Sequence, residues 1–259
     1  MDEPIRVGVG GWIFPPWRKT FYPAKLPRGE ELAHASRALS VIEINVTYHA
    51  AQTPETFARW AAETPDGFLF TVKASRLCAN RRVLAEAGES IGRFLGQGLS
   101  ELGDRLGPIL WQFMPTKRFD AADFAAFLDL LPDSLPGAAE NRPLRHAVEV
   151  RHESFADPAF VDLCRDRGVA ICLTDSAKFP MIDAPTAPFA YARLMRGEDD
   201  IPTGYAPADL DRWARRLRAL SGAGEGATPR EVFAFFINGG KSRAPAAAMA
   251  LTDRLGALS

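Results

Sequence analysis

The chain returns again and again to a short apolar run rich in β-branched and aromatic residues, at 5–10, 41–46, 68–73, 108–113, 147–152, 169–175, 189–194 and 231–238. Such runs, bounded by Gly, Pro and polar clusters, read as strands. Between most of them lie segments whose apolar residues recur at helical spacing: 30–39, a stretch opening at Thr53 and Pro54, 85–106, 120–131, 158–167 and 208–220. A last such segment, 244–255, follows the final run. Near-continuous apolar strands are strands covered on both faces. Eight of them alternating with helices over about 250 residues match a single (β/α)8 barrel spanning 1–259, with a doubly wound open sheet as the rival. No linker divides the chain into two domains.

Charged residues inside these runs carry the functional reading. Side chains two apart on a strand share a face. Glu149 and Arg151 therefore point the same way, as do Glu43 and Asn45, and Thr71 and Lys73. A buried charge is costly unless paired or met by a ligand. One reading is a structural ion pair closing an end of the barrel; the other is a ligand-facing pair. Barrel sites gather at the C-terminal ends of strands, and reading those ends gives Glu43, Asn45, Lys73, Gln112, Glu149, Arg151, Asp175, Arg193 and Asn238. Lys73, Arg151 and Arg193 suit a phosphate or carboxylate, which arginine grips with two parallel bonds. Glu149, Glu43 and Asp175 are candidates to move protons, although neighbouring bases would keep them ionised and better suited to orientation or metal binding. Lys73 beside other cations is a candidate amine nucleophile, with a plain charge role as the alternative.

Other chemistries find less support. Gly8, Gly10 and Gly11 hint at a dinucleotide loop, but Pro15 and Pro16 replace the helix such a loop needs. The four histidines show no zinc spacing, and neither a nucleophile elbow nor a phosphate loop is present. No cofactor is evident, and the carboxylates leave a divalent cation open. Cys78, Cys164 and Cys172 include no CxxC pair, which fits a reducing cytoplasm. The N-terminal residues read as leading directly into a strand, so no signal peptide is expected, and no apolar run reaches the ~20 residues of a membrane span. The formal net charge of −1 draws the chain to neither nucleic acid nor membrane, although a local basic groove remains compatible with it. Trp12, Trp17, Tyr22 and Tyr48, read as exposed loop aromatics, could stack on bases or sugars. The loop from Trp12 to Pro23 is either a lid over the mouth or a plug in it.

Gly11-Trp12 with Trp17 and Phe21-Tyr22-Pro23, Val41-Ile42-Glu43-Ile44-Asn45-Val46-Thr47-Tyr48, Phe70-Thr71-Val72-Lys73 and Val148-Glu149-Val150-Arg151-His152-Glu153-Ser154-Phe155 resemble, in order, the YecE-like family, the domain of unknown function 72. The resemblance implies a TIM-type barrel distantly similar to xylose isomerase and endonuclease IV, with Glu43, Asn45, Lys73, Gln112, Glu149, Arg151 and Arg193 as its polar strand ends. The chain departs from the family pattern in places. It has Ala79-Asn80 where the family carries Thr-His, and Met195-Arg196 where it carries His-Gly. Gly239 stands in place of an acid, and Ala247 in place of an asparagine. The expectation is a barrel that binds a small anionic ligand at its mouth, as an acid/base hydrolase, lyase or isomerase. A nucleic-acid-binding or repair-related protein and a non-catalytic ligand-binding scaffold are the alternatives. The sequence is silent on oligomeric state.

Overall fold

The computed structural model describes residues 5–135, 143–222 and 229–257. Its strands are β1 (Ile5–Gly10), β2 (Val41–Ile44), β3 (Leu69–Lys73), β4 (Leu106–Gln112), β5 (His146–Glu149), β6 (Ala170–Ile171), β7 (Leu173–Asp175), β8 (Phe189–Arg196) and β9 (Glu231–Gly239). They form one parallel sheet in the order β6-β5-β4-β3-β2-β1-β9-β8-β7. The two outermost strands are consecutive in the chain, parted only by Cys172, whose N–H donates to the Val148 carbonyl at 2.8 Å. They are two halves of one stave, the first bonded to β5 and the second to β8. The sheet thus curls round into an α/β barrel of the TIM type, and the eight expected runs are its staves.

The helices are α1 (Trp17–Thr20), α2 (Glu31–Ala38), α3 (Pro54–Glu63), α4 (Arg76–Ala79), α5 (Gly88–Leu95), α6 (Ala121–Asp129), α7 (Pro158–Asp166), α8 (Pro207–Leu220) and α9 (Ala244–Ala257). Several start where capping chemistry dictates. Asp120 accepts from the Asp123 N–H ahead of α6, Asp157 accepts from Ala159 N–H ahead of α7, and Thr53 with Pro54 opens α3. None of the helices is long and apolar enough, among the described residues, to cross a membrane.

The continuous helix expected over 85–106 is broken. A single turn at Leu84–Glu86, α5, and an irregular 3-10 segment at Leu99–Arg105 replace it, and Leu106 already belongs to β4. Gly98 accounts for the break after α5. It sits at φ +108°, and a Cβ there would lie 2.6 Å from the Pro54 Cα, so the chain turns sharply where no other residue fits.

Strand alternation sorts the interior into levels. Arg6, Arg145 and Glu231 meet at the N-terminal end, with both arginines 2.5 Å from the carboxylate. A structural ion cluster therefore does close one end of the barrel, but it is the end opposite Glu149. Above it lies an apolar plug that includes Val41, Leu69, Leu110, Ala147, Phe189, Tyr191 and Phe233. Two residues further along the same inward faces come Glu43, Gln112, Glu149 and Arg193, and Lys73 lies four beyond Leu69. The other face of each stave packs on the helices in a separate, larger core.

Candidate functional site

At the C-terminal end of the barrel the charged residues form one hydrogen-bonded lattice centred on Arg193. Its two terminal nitrogens reach different carboxylates, one donating to Glu43 Oε1 at 2.9 Å and the other to Glu149 Oε2. Glu43 Oε2 accepts from the Tyr191 hydroxyl at 2.7 Å, and the Tyr191 and Thr71 hydroxyls lie 3.0 Å apart. Glu149 Oε1 accepts from Arg151 Nε at 2.6 Å, and Gln112 Nε2 lies 3.0 Å from both Glu149 oxygens. Both glutamates are wholly buried. Burial alone would push the Glu149 carboxyl up, but Arg193, then Arg151 and Gln112, outweigh it and hold it down at about 2. It stays a carboxylate at any ordinary pH.

The two acids are thereby occupied. Each of their four oxygens already accepts a hydrogen bond, which suits them to hold arginines in place rather than to shuttle protons or ligate a cation. Among the described residues no group of three or more His, Cys, Asp or Glu gathers as a metal site.

The cations are not occupied in the same way. Arg193 is 2% exposed, and its Nε has no partner. Arg151 is half-buried, its guanidinium lying 4.5 Å from the Phe179 ring centroid. Beyond Nε it donates to no described residue. Lys73 ends β3 with its Nζ 3.8 Å from the centroid of the Tyr48 ring, and no carboxylate among the described residues lies within ion-pair reach. Burial, then the neighbouring Arg193, pull the Lys73 amine down to about 8, against the opposing pull of Glu43 and Glu149. All three side chains line a cavity of about 320 Å³ at the mouth, together with Asn45, Gln112 and His49. That volume fits a small metabolite. Lys241 adds a fourth cation to the wall, so four cations face two carboxylates and the mouth carries excess positive charge.

Residues 6–259 match the model of a protein family, "Protein of unknown function DUF72". The chain belongs to this family. It is 28% identical over 151 residues to the UPF0759 protein YecE of Escherichia coli K12, an alignment covering 58% of this chain and about half of YecE. The solved DUF72 protein of Enterococcus faecalis V583 superposes with a TM-score of 0.75 at 17% identity, covering 98% of this chain and 96% of that one. The Thermotoga maritima MSB8 member gives 0.73 at 22%, covering 98% and 99%. At these identities the two structures speak for the DUF72 fold alone.

The DUF72 barrel brings most of the expected residues together and corrects others. Glu43, Asn45, Lys73, Gln112, Glu149, Arg151 and Arg193 converge on the mouth, with Tyr48 backing Lys73. Asp175 does not. It shares the face of Leu173, which packs outward on the helices, and it pairs with Arg196 at 3.1 Å and the Tyr205 hydroxyl at 3.4 Å. Burial raises its pKa against the pull of Arg196. Trp12, Trp17 and Tyr22 are buried, not exposed. Trp12 packs edge-on against Trp60 at 5.0 Å, away from the cavity. Trp17 is part of the wall and donates from Nε1 to the Lys241 carbonyl at 2.7 Å. The loop thus packs its aromatics into the core and the cavity wall and offers no stacking platform. The side chain of Asn238 lies outside the described residues.

The positions that depart from the DUF72 pattern have their own contacts here. Asn80 Nδ2 donates to the Tyr48 hydroxyl at 3.2 Å, bracing the ring beneath Lys73. Gly239 lies where a Cβ would be 2.5 Å from the Met195 carbonyl oxygen, so the C-terminal ends of β8 and β9 touch through bare backbone. Tyr191, Thr71, His49 and Lys241 were not among the sequence candidates. Tyr191 could have been found, because it stands two residues before Arg193 on the same inward face.

Proposed function

We propose that the barrel mouth binds a small anionic ligand, a phosphate or a carboxylate, gripped by Arg151, Arg193 and Lys73 and oriented by Asn45 and Gln112. Glu43 and Glu149 fix the arginines, and Lys73 is the group that carries a proton to or from the ligand. One observation carries this reading: Lys73 and Arg151 line the cavity with donors that no described carboxylate takes up, while every nearby carboxylate oxygen already accepts a hydrogen bond. Desolvated donors of this kind are costly unless something supplies acceptors. A ligand at a hundred times its Kd stabilises a protein by about 2.7 kcal/mol, a rise of roughly 5–10 °C for a domain of this size. Thermal shift against inorganic phosphate and sulfate should show a rise on this scale, with Arg151→Ala abolishing it. If no anion moves the wild-type Tm and Arg151→Ala behaves like the wild type, the reading is wrong.

A second reading, nucleic-acid binding, is favoured by a separate groove of about 440 Å³ lined by Arg81, Arg82, Lys117 and Arg118 on the loops after β3 and β4. It predicts DNA binding that weakens steeply with salt. Binding that is absent at low salt removes it.

A further inference from the structure

The polar residues of the mouth differ sharply in what they can do to a ligand. None of the residues lining the cavity offers a hydroxyl or a thiol, since no Ser, Thr or Cys is among them, and none offers a free carboxylate. The buried arginines keep their protons, because a guanidinium cannot give up its charge in a protein. That leaves nitrogen bases. His49 and Lys241 stand at the exposed rim. Lys73 alone rises from the barrel interior, 9% exposed, with its amine on the Tyr48 ring and two guanidinium groups on the same cavity wall.

We propose that Lys73 is a carbonyl-condensing amine, and that the ligand of the mouth is a small aldehyde or ketone that also carries a carboxylate or phosphate. The proposal rests on the anion-site reading above and names its substrate class. A lysine needed only for its charge gains nothing from burial, whereas one beside other cations and out of water is the usual activated amine. Lowered to about 8, the amine is half unprotonated near that pH. An ordinary lysine near 10.4 is unprotonated about a hundredfold less often. The arginines would hold the anionic end and leave the carbonyl carbon toward Nζ.

The step balances without an external oxidant. The Nζ lone pair attacks the carbonyl carbon, the C=O π pair moves to oxygen, and a proton passes from nitrogen to that oxygen to give a carbinolamine. The C–O bond then breaks with a proton supplied by His49 or solvent, water leaves, and the product is an iminium N–H⁺ on Lys73. Glu43, Glu149, Arg151 and Arg193 are the charges that face the amine from β2, β5, the residues just after β5, and β8.

Reductive trapping tests it on the full chain. Glyoxylate and sodium cyanoborohydride deliver a hydride to the iminium carbon and leave a carboxymethyl group on the lysine, located by peptide mass spectrometry. The chain has six lysines, so each can be followed. The expected result is modification of Lys73 at least about tenfold faster than of the exposed Lys25 and Lys178, slowed by inorganic phosphate and missing in Lys73→Met. The wild-type map stands even if that variant folds poorly. Modification of Lys73 no faster than of Lys25, or unaffected by phosphate, overturns the proposal. If phosphate still raises the Tm in that case, the anion site survives and only the imine chemistry falls. If phosphate moves neither the Tm nor the labelling, the anion reading falls with it.

Discussion

Replacing Arg193 with methionine keeps most of the side-chain volume in the barrel and removes the charge that two buried carboxylates share. Glu43 would retain only the Tyr191 hydroxyl, and Glu149 only Arg151 and Gln112. Removing one partner of a buried ion pair typically costs about 3–5 kcal/mol. The protonation behaviour of Glu149 gives a similar scale. Its carboxyl is lowered from 4.5 to about 2, equivalent to about 3 kcal/mol of preference for the charged form in the folded state. At 2–4 °C per kcal/mol for a domain of this size, Arg193→Met should melt about 10 °C below the wild type at pH 7.

The pH dependence gives the sharper test. In the wild type, the folded Glu149 value lies below the unfolded one, so its stabilisation is complete above about 4.5 and is lost as the pH falls toward about 2. In the variant, the burial of Glu149 is opposed only by Arg151 and Gln112, and its folded carboxyl titrates above its unfolded value. The folded variant then binds protons more readily than its unfolded chain, so its stability recovers as the pH falls. Differential scanning calorimetry at a series of pH values from about 7 to 4 should show the deficit narrowing. A deficit that is absent at pH 7, or that widens on acidification, would refute the idea that Arg193 neutralises both glutamates.

Sulfate, whose charge is constant near neutrality, should bind at least about tenfold more weakly as the pH rises through about 8, because the Lys73 ammonium that faces it loses its proton. Titration calorimetry should find that slope flattened in Lys73→Met. Gly98→Ala should cost about 2–3 kcal/mol, since it forces a left-handed backbone and a 2.6 Å approach to Pro54. Gly92→Ala, on the exposed face of α5 with nothing within 4 Å, should gain about 0.5–1 kcal/mol. Urea unfolding of the two variants should give opposite signs. Cys78, Cys164 and Cys172 are all buried, and burial pushes the Cys78 thiol up to about 12. A thiol reagent such as DTNB should therefore titrate no cysteine until denaturant is added; fast labelling of one in the native protein would contradict the packing.

Within the sequence itself, eight apolar runs alternating with helices favoured the barrel over an open sheet and showed that charges sit on otherwise apolar runs. Side chains on alternate positions must share a face, whatever the neighbours do, so Glu149 with Arg151 and Thr71 with Lys73 were legible before any coordinates. The same parity puts Asp175 in step with Leu173 and out of step with Cys172, and the closed barrel then turned that face outward. Parity also puts Tyr191 on the face of Arg193. Only the closed barrel decided which charge meets which. Arg193 and Glu43 lie 150 residues apart, and their pairing depends on strand register and curvature, which local spacing does not encode. The fate of the aromatic loop was likewise a tertiary matter. Tryptophans between prolines can face water or core, and the space between Trp60, Phe70 and the loop after β9 is what buried them. Folding likewise brought four donors, Arg193, Arg151, Gln112 and the Tyr191 hydroxyl, onto the carboxylates of Glu43 and Glu149 and left Lys73 without one.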